Sequence, residues 1–456
     1  MSERLCSVGL DVGTTSTQMV VSELIAQNRA GSFAVPEMVI SSRRILYRSP
    51  VYFTPLLDES RVDGGAIRAI VEEEYGKAGI RREDVDTGAV IITGETSRKE
   101  NAEAVLSALS EFAGDFVVAT AGPDLESVLA AKGAGAPEYS AKTGNRVLHM
   151  DIGGGTSNLA LIEDGAIVKT GCMNVGGRLI KLDKVGRALY VSPVLEGLCS
   201  LKPGDRAEPE ELERIAGLLV RALEMAAGKR EPSPLLERLW TRESGAPWHA
   251  GGDLVLSFSG GVADCIETER EMLSFGDIGP ILGQAIRRSA LCAGPYRLGD
   301  ETIRATVIGA GCHSAQLSGS TVFYANVDFP LKNLPVVKLS KAEQALPAEA
   351  LARCIREKVS RQDGAAVLAL PGFPAPSYTQ VAALAEGIAQ GLSPVYVCVE
   401  TDMAKALGQA ISQRLPKNAA CLCLDGVRLE PESFLDVGTP VGPALPVVVK
   451  TLILSH

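Results

Sequence analysis

Short apolar runs alternate with amphipathic stretches along the chain, a pattern that predicts strands interleaved with helices. Residues 5–10 and 18–22 flank the turn DVGTTST and read as the two arms of a β-hairpin. Strand signals mixed with proline-rich loop follow over 38–65. In GGAIRAIVEEEYGKAG, residues Ile67, Ile70, Val71 and Tyr75 recur at helical spacing, and GAVIITGET is a buried strand ending in a polar turn. NAEAVLSALSEFAG reads as a second helix and FVVAT as a second such strand. DLESVLAAKGAGA is a helix stopped by glycines, which delivers the chain to a strand over 147–152 and a second hairpin. The clearest amphipathic helix covers 207–229, inside a segment, 180–250, that reads as an outer insertion.

DLVLSFSGGVADCIE is again strand, Gly-Gly turn and helix, and ATVIGAGCHSAQLSG opens a helix of small residues. The character changes around Pro330 to Pro335. Beyond it AAVLAL, PVYVCV and AACLCL read as strands, and 341–359, 377–391 and 402–414 as helices. The expectation is an α/β protein with units at 1–146, 147–330 and 331–456.

A chain of 456 residues is long enough for more than one domain. Its net charge of −10 argues against nucleic acid or an anionic membrane as a bulk partner, since both repel an acidic surface. The ten cysteines form no CxxC pair and no disulfide-rich spacing, so they read as reduced thiols. MSERLCSVGLD reaches Asp11 before a signal core can form. The apolar tail VGTPVGPALPVVVKTLIL is cut by prolines, glycines and Lys450 and does not read as a membrane span. A soluble, cytoplasmic protein is expected.

One phrase is written twice: LDVGTTSTQMVV over 10–21 and MDIGGGTSNLAL over 150–161. A tight turn of glycines and threonines between two strands leaves backbone N–H groups pointing one way, a concavity suited to phosphate oxygens. Asp11 and Asp151 each end the incoming strand, where a carboxylate can hold a hydrated Mg²⁺. Gly13, Thr14, Thr15, Gly153, Gly154, Gly155 and Thr156 are then the candidate phosphate contacts. A single turn of this kind is commonly just a turn, and LDVGTP at 435–440 is expected to be one, because its prolines spoil a return strand. What lifts the pair is a third piece in order, LSFSGGVAD at 256–264, where Ser259, Gly260 and Gly261 would let adenine or ribose approach the backbone. His149 shares a strand face with Asp151 and reads as a packed histidine beside the cation. Cys421 and Cys423 read as core.

In this order the three pieces resemble the actin, heat-shock chaperone and sugar kinase ATPase superfamily. The resemblance implies two actin-like, ribonuclease H-like lobes closing on MgATP, joined by connecting helices over GPDLESVLAAKGAG and IGAGCHSAQLSG. It also implies a carboxylate at the start of the first connecting helix that orients the attacking water. Aligning that helix on Ala130 and Gly133 puts Asp124 in this role, and Gly311 and Ala315 would let the second helix pack closely.

More narrowly, GPDLESVLAAKGAGA, PGFPAPSY and the tail resemble the ethanolamine ammonia-lyase reactivating factors over nearly the whole length. That resemblance implies an ATP-dependent chaperone that releases damaged cobalamin from the inactivated lyase so that adenosylcobalamin can enter. The lyase is then the protein partner and cobalamin is met only indirectly. A homodimer and association with an ethanolamine-utilisation microcompartment are further expectations. IITGETSRKE resembles a metal-side loop of the diol dehydratase reactivases, which brings in Thr93 and Glu95, although an extra glycine interrupts the loop here. A small-molecule kinase and a filament or scaffold protein remain the alternatives on the same fold.

Overall fold

The computed structural model describes residues 2–13, 16–28, 38–58, 61–92, 101, 105, 109, 123–241, 244–313, 315–317, 321–360, 362, 364–427, 429, 433–440 and 445–451. Two five-stranded sheets repeat one layout. In the first, β1 (Ser2–Val12), β2 (Ser16–Asn28) and β3 (Met38–Arg48) run antiparallel in sequence. The short β4 (Tyr52–Phe53) pairs with the start of β2, and β5 (Thr87–Ile92) lies parallel to β1. In the second, β6 (Val147–Ile152), β7 (Ser157–Glu163) and β8 (Ala166–Met173) are likewise antiparallel neighbours. A two-stranded ribbon of β9 (Ile180–Leu182) and β10 (Ala188–Val191) intervenes, and then β11 (Val255–Ser259) lies parallel to β6, with β12 (Tyr296–Leu298) parallel to β11. Three antiparallel strands followed by a parallel fourth, written twice, bear out the expected α/β class of two ribonuclease H-like lobes around a cleft. β5 and β6 are buried at every position, including His149 and Asp151 of β6.

Each sheet sends a helix across to the other. The helix Pro123–Gly133 follows the first sheet but packs on β6, β7 and β8. The helix Ala305–His313 follows the second sheet but packs on β1, β2 and β5. The two cross helices press together at glycines: a Cβ on Gly133 would sit 1.8 Å from the Ala305 carbonyl oxygen, and one on Gly309 2.0 Å from that of Leu129. Only glycine permits such an approach. The second helix packs closely against its neighbour, as expected of Gly311 and Ala315, and the close contact runs through Gly309. The second helix ends at His313, and Ala315 belongs to β13 (Ala315–Leu317), so the expectation for Ala315 is corrected. The helix Pro209–Ala226, read as part of an outer insertion, buries Leu212, Ile215, Leu219 and Leu223 in the same core as β6 and β11.

The remaining strands are β14 (Phe323–Ala325), β15 (Leu331–Lys338), β16 (Val367–Leu370), β17 (Val395–Val399), β18 (Cys421–Asp425), β19 (Ser433–Val437) and β20 (Pro446–Thr451). With β13 they form one sheet in the order β13-β20-β19-β15-β16-β17-β18-β14. β15 to β18 are parallel and are connected through helices, including Ala348–Val359, Tyr378–Gly391 and Ala404–Ser412. The helix expected over 341–359 is broken in two at Pro347, which cannot continue a preceding turn. The prolines after LDVG do not abolish the return strand as expected. They postpone it, and β20 pairs with the whole length of β19 from Val447 to Thr451.

Candidate functional site

The two lobes face each other across a cavity of about 590 Å³. One wall carries the β1–β2 hairpin, the other the β6–β7 hairpin, and both close alike: Gly13 N donates to the Ser16 oxygen and Gly153 N to the Thr156 oxygen, each at 2.9 Å. Strand register then sets an amide beside each aspartate, Gln18 opposite Asp11 and Asn158 opposite Asp151. All four residues are buried and line the cavity. Each amide spends its nitrogen on protein: Gln18 Nε2 donates to the Ile303 oxygen and Asn158 Nδ2 to Glu126 Oε2, both at 2.9 Å. Their oxygens, Gln18 Oε1 and Asn158 Oδ1, are buried without a partner. An acceptor left bare costs about 1–3 kcal/mol unless something bound supplies a donor.

This donor set fits a hydrated Mg²⁺. Among the described residues no group of three or more His, Cys, Asp or Glu could cage a metal directly. Mg²⁺ does not need a cage, since it keeps several waters and takes one or two carboxylates plus phosphate oxygens. Two carboxylates on opposite walls and two bare amide oxygens are acceptors for such waters. The glycines supply the room: Gly13, Gly153, Gly154 and Gly155 all line the cavity, with Thr156 beside them.

Asp151 is held from behind. Ser259 Oγ donates to its Oδ1 at 2.5 Å, and Thr306 Oγ1 lies 3.5 Å from its Oδ2. Burial pushes its carboxyl up to about 6, against the pull of these two hydroxyls. A nearby cation would restore the charged form. Behind Ser259 lies His149, fully buried and pushed down to about 3 by burial, with the Arg297 charge adding to the shift. It is the packed histidine expected.

Two assignments change. Asp124 is exposed, accepts from Thr170 Oγ1 at 2.6 Å, and is not in the cavity wall. The carboxylate that reaches the cavity from this helix is Glu126, buried and bonded to Asn158. The signal was present in the spacing: Glu126, Ala130 and Gly133 fall four and three apart on one helix face, and Asp124 does not. Ser259 is not a nucleotide-facing residue of its loop but the buried partner of Asp151, whereas Gly260 and Gly261 do line the cavity. Gly260 has φ +87°, and a Cβ there would meet the Ile152 oxygen at 2.3 Å, so this glycine also locks the third piece onto the end of β6. Thr14, Thr15, Thr93 and Glu95 lie outside the described residues.

Sequence reasoning missed the segment after β8. Gly177 N and Arg178 N donate to the oxygens of Gly153 and Gly154 at 3.0 and 2.6 Å, bracing the second hairpin turn from outside. Arg178 also pairs with Asp277 at 3.1 Å and lies 5.3 Å from the ring centre of Phe53, a cation–π contact from one lobe to the other.

The family model described as ethanolamine utilisation protein EutA matches residues 3–455. The chain is 37% identical to the ethanolamine ammonia-lyase reactivase EutA of Salmonella typhimurium and 36% identical to that of Escherichia coli, in each case covering 99% of both chains. Among solved structures, the ethanolamine utilization protein EutJ from Carboxydothermus hydrogenoformans is 16% identical, with a TM-score of 0.34 over 67% of this chain and 88% of its own. On the family match and the full-length identity, this chain belongs to the ethanolamine utilisation protein EutA family.

Proposed function

We propose that the cleft binds ATP with Mg²⁺, hydrolyses it, and couples the hydrolysis to reactivation of ethanolamine ammonia-lyase. The observation that carries this reading is the paired arrangement of Asp11 with Gln18 and Asp151 with Asn158 on opposite walls of one cavity, each amide with a bare oxygen. The curated relatives' names support the lyase as partner.

In this reading Asp11 and Asp151 accept from the waters of the cation, and Gly154 and Gly155 offer N–H groups to the phosphates, together with Thr14, Thr15 and Thr156, while Gly13 and Gly153, whose N–H groups close their hairpins, leave room for the phosphates. When bound, Mg²⁺ neutralises charge on the phosphate oxygens. Glu126 takes the role of orienting the attacking water, its Oε2 fixed by the Asn158 amide. Phosphoryl transfer asks little else of a protein than positioning and charge neutralisation. Gly260 and Gly261 form the floor on which the nucleoside lies. Thr93 and Glu95 stay candidates for the metal side on resemblance alone.

Contacts made from both walls favour a closed cleft, and only such differential affinity can drive a change of shape. Loss of the γ-phosphate relaxes it, and the two shapes grip the lyase differently, releasing damaged cobalamin. We read the chain as two ATPase lobes, 1–146 and 147–330, followed by a C-terminal unit, 331–456, with the cross helices exchanged between lobes. No helix among the described residues is long and apolar enough to cross a membrane, and a cytoplasmic place beside an ethanolamine-utilisation microcompartment belongs to the same proposal. The test is to add the protein with ATP, Mg²⁺ and adenosylcobalamin to inactivated lyase. Recovered deaminase activity with free phosphate supports the reading; a phosphorylated small molecule instead would favour a kinase.

A further inference from the structure

Behind Asp151 runs a line of buried polar side chains that the proposed chemistry does not itself use. Ser257 Oγ lies 3.0 Å from His149 Nδ1, His149 Nε2 lies 2.9 Å from Ser259 Oγ, and Ser259 Oγ lies 2.5 Å from Asp151 Oδ1. Ser257, His149 and Ser259 are 0% exposed. The register of the parallel pair β6 and β11 sets Ser257 beside His149 and Ser259 beside Asp151. Alternate residues share a sheet face, so the four groups form one file.

The direction of the file is set by counting hydrogens. A carboxylate only accepts, so Ser259 spends its single hydrogen on Asp151. The Ser259 oxygen must then receive its bond from His149, which requires the hydrogen on Nε2. A neutral imidazole carries one N–H, so Nδ1 accepts from Ser257. Every donor points toward Asp151.

We propose that Ser257, His149 and Ser259 act as a positioning relay for Asp151. The relay fixes Oδ1 against Ser259, and so holds Oδ2, on the Thr306 side of the cavity wall, in place for the waters of the cation. None of the three touches the nucleotide. The inference rests on the reading of the cleft as a Mg²⁺-nucleotide site.

Two measurements on the full chain test it. The first is side-chain ¹⁵N NMR of the unliganded protein, with the His149 signal assigned by its loss in His149→Gln. A neutral imidazole protonated at Nε2 is expected; protonation at Nδ1, or a charged ring at neutral pH, overturns the relay. The second is ATP affinity measured with and without Mg²⁺. His149→Leu should lower the Mg²⁺-dependent affinity by up to about 10-fold, the lower end of the usual effect of removing an outer-shell partner, and leave Mg²⁺-free binding unchanged. His149→Gln, with one amide donor and one acceptor, should recover most of the loss. An unaltered Mg²⁺ dependence in a folded His149→Leu protein contradicts the proposal, as does a Gln variant no better than Leu. Ser257→Ala, nearly unchanged in volume, gives the same sign with a smaller loss should the Leu variant fail to fold. Wild-type protein that binds no nucleotide at all would refute the reading of the cleft, while the NMR signal still decides the direction of the relay.

Discussion

The hairpin β6–β7 and the strand pair β19–β20 begin with nearly the same words, MDIG at 150–153 and LDVG at 435–438. In both, the aspartate is buried and the glycine N–H donates to the returning strand at 2.9 Å. They diverge beyond the glycine. Gly153 bonds to Thr156, closing the turn at once, whereas Gly438 bonds to Pro446 after a longer excursion. Opposite Asp151 stands Asn158; opposite Asp436 stands Val448. A buried Asp before a glycine is thus a feature of strand ends. On the proposed reading it becomes a binding feature when a tight turn and a facing amide with a bare oxygen stand beside it. The β1–β2 hairpin meets both conditions, with Gly13 bonded to Ser16 and Gln18 opposite Asp11.

The sharpest way to break this contrast is at the carboxylate that the second hairpin's amide holds. Glu126→Gln should cut ATP turnover by about 10²–10⁴-fold, the usual contribution of a positioned acid–base group, with MgATP affinity nearly unchanged. Asp124→Asn, two residues away, should leave phosphate release within a few-fold of wild type. Single-turnover measurement of both variants decides between the two carboxylates.

Next in size is the comparison of the aspartates. Asp151→Asn should weaken Mg²⁺-dependent ATP binding by about 10–100-fold, and Asp436→Asn should not change it; calorimetric titration with and without Mg²⁺ reads both. The same Asp151 variant has a second signature. Its carboxyl is raised from 3.8 to about 6 by burial, so between those values the folded protein keeps a proton that the unfolded chain has lost. The contribution of this group to stability therefore falls as pH rises from about 4 to 6. Asp151→Asn removes the fall. Without nucleotide the variant should melt higher than wild type at pH 7, and the gap should close toward pH 4.

Asn158→Leu, which discards the bare oxygen, should give a loss of the same sign but smaller, about tenfold, in Mg²⁺-dependent affinity. Val448→Asn in the third copy should create no such dependence. The smallest effect on the nucleotide is expected from Gly309→Ala. Its Cβ has no room against the Leu129 carbonyl, so it should cost about 1–3 kcal/mol of stability through overpacking, read as a lower melting temperature.

Much of this was legible in the sequence because backbone chemistry writes short signatures. The hairpin tips, the glycine stop after the first cross helix and the parallel strands of the C-terminal sheet are all local patterns. What escaped was set by contacts between distant segments. Ser259 reads as a loop residue, yet the register of β11 against β6 turns its hydroxyl onto Asp151. Gly177 and Arg178 brace the second turn through backbone bonds that carry no residue signature. The helix face marked by Ala130 and Gly133 includes Glu126 and leaves out Asp124, a distinction the sequence already carries. The strand after the third LDVG was hidden because proline forbids a close turn but not a later return.

The central claim is that one cation is shared by both lobes, and a double-mutant cycle on MgATP affinity tests it most directly. Asp11→Asn and Asp151→Asn, each alone and combined, are titrated with ATP at fixed Mg²⁺. Carboxylates that serve one ion should couple strongly, so the combined variant should lose little more than the weaker single variant. Losses that simply multiply would show two independent sites and contradict the account.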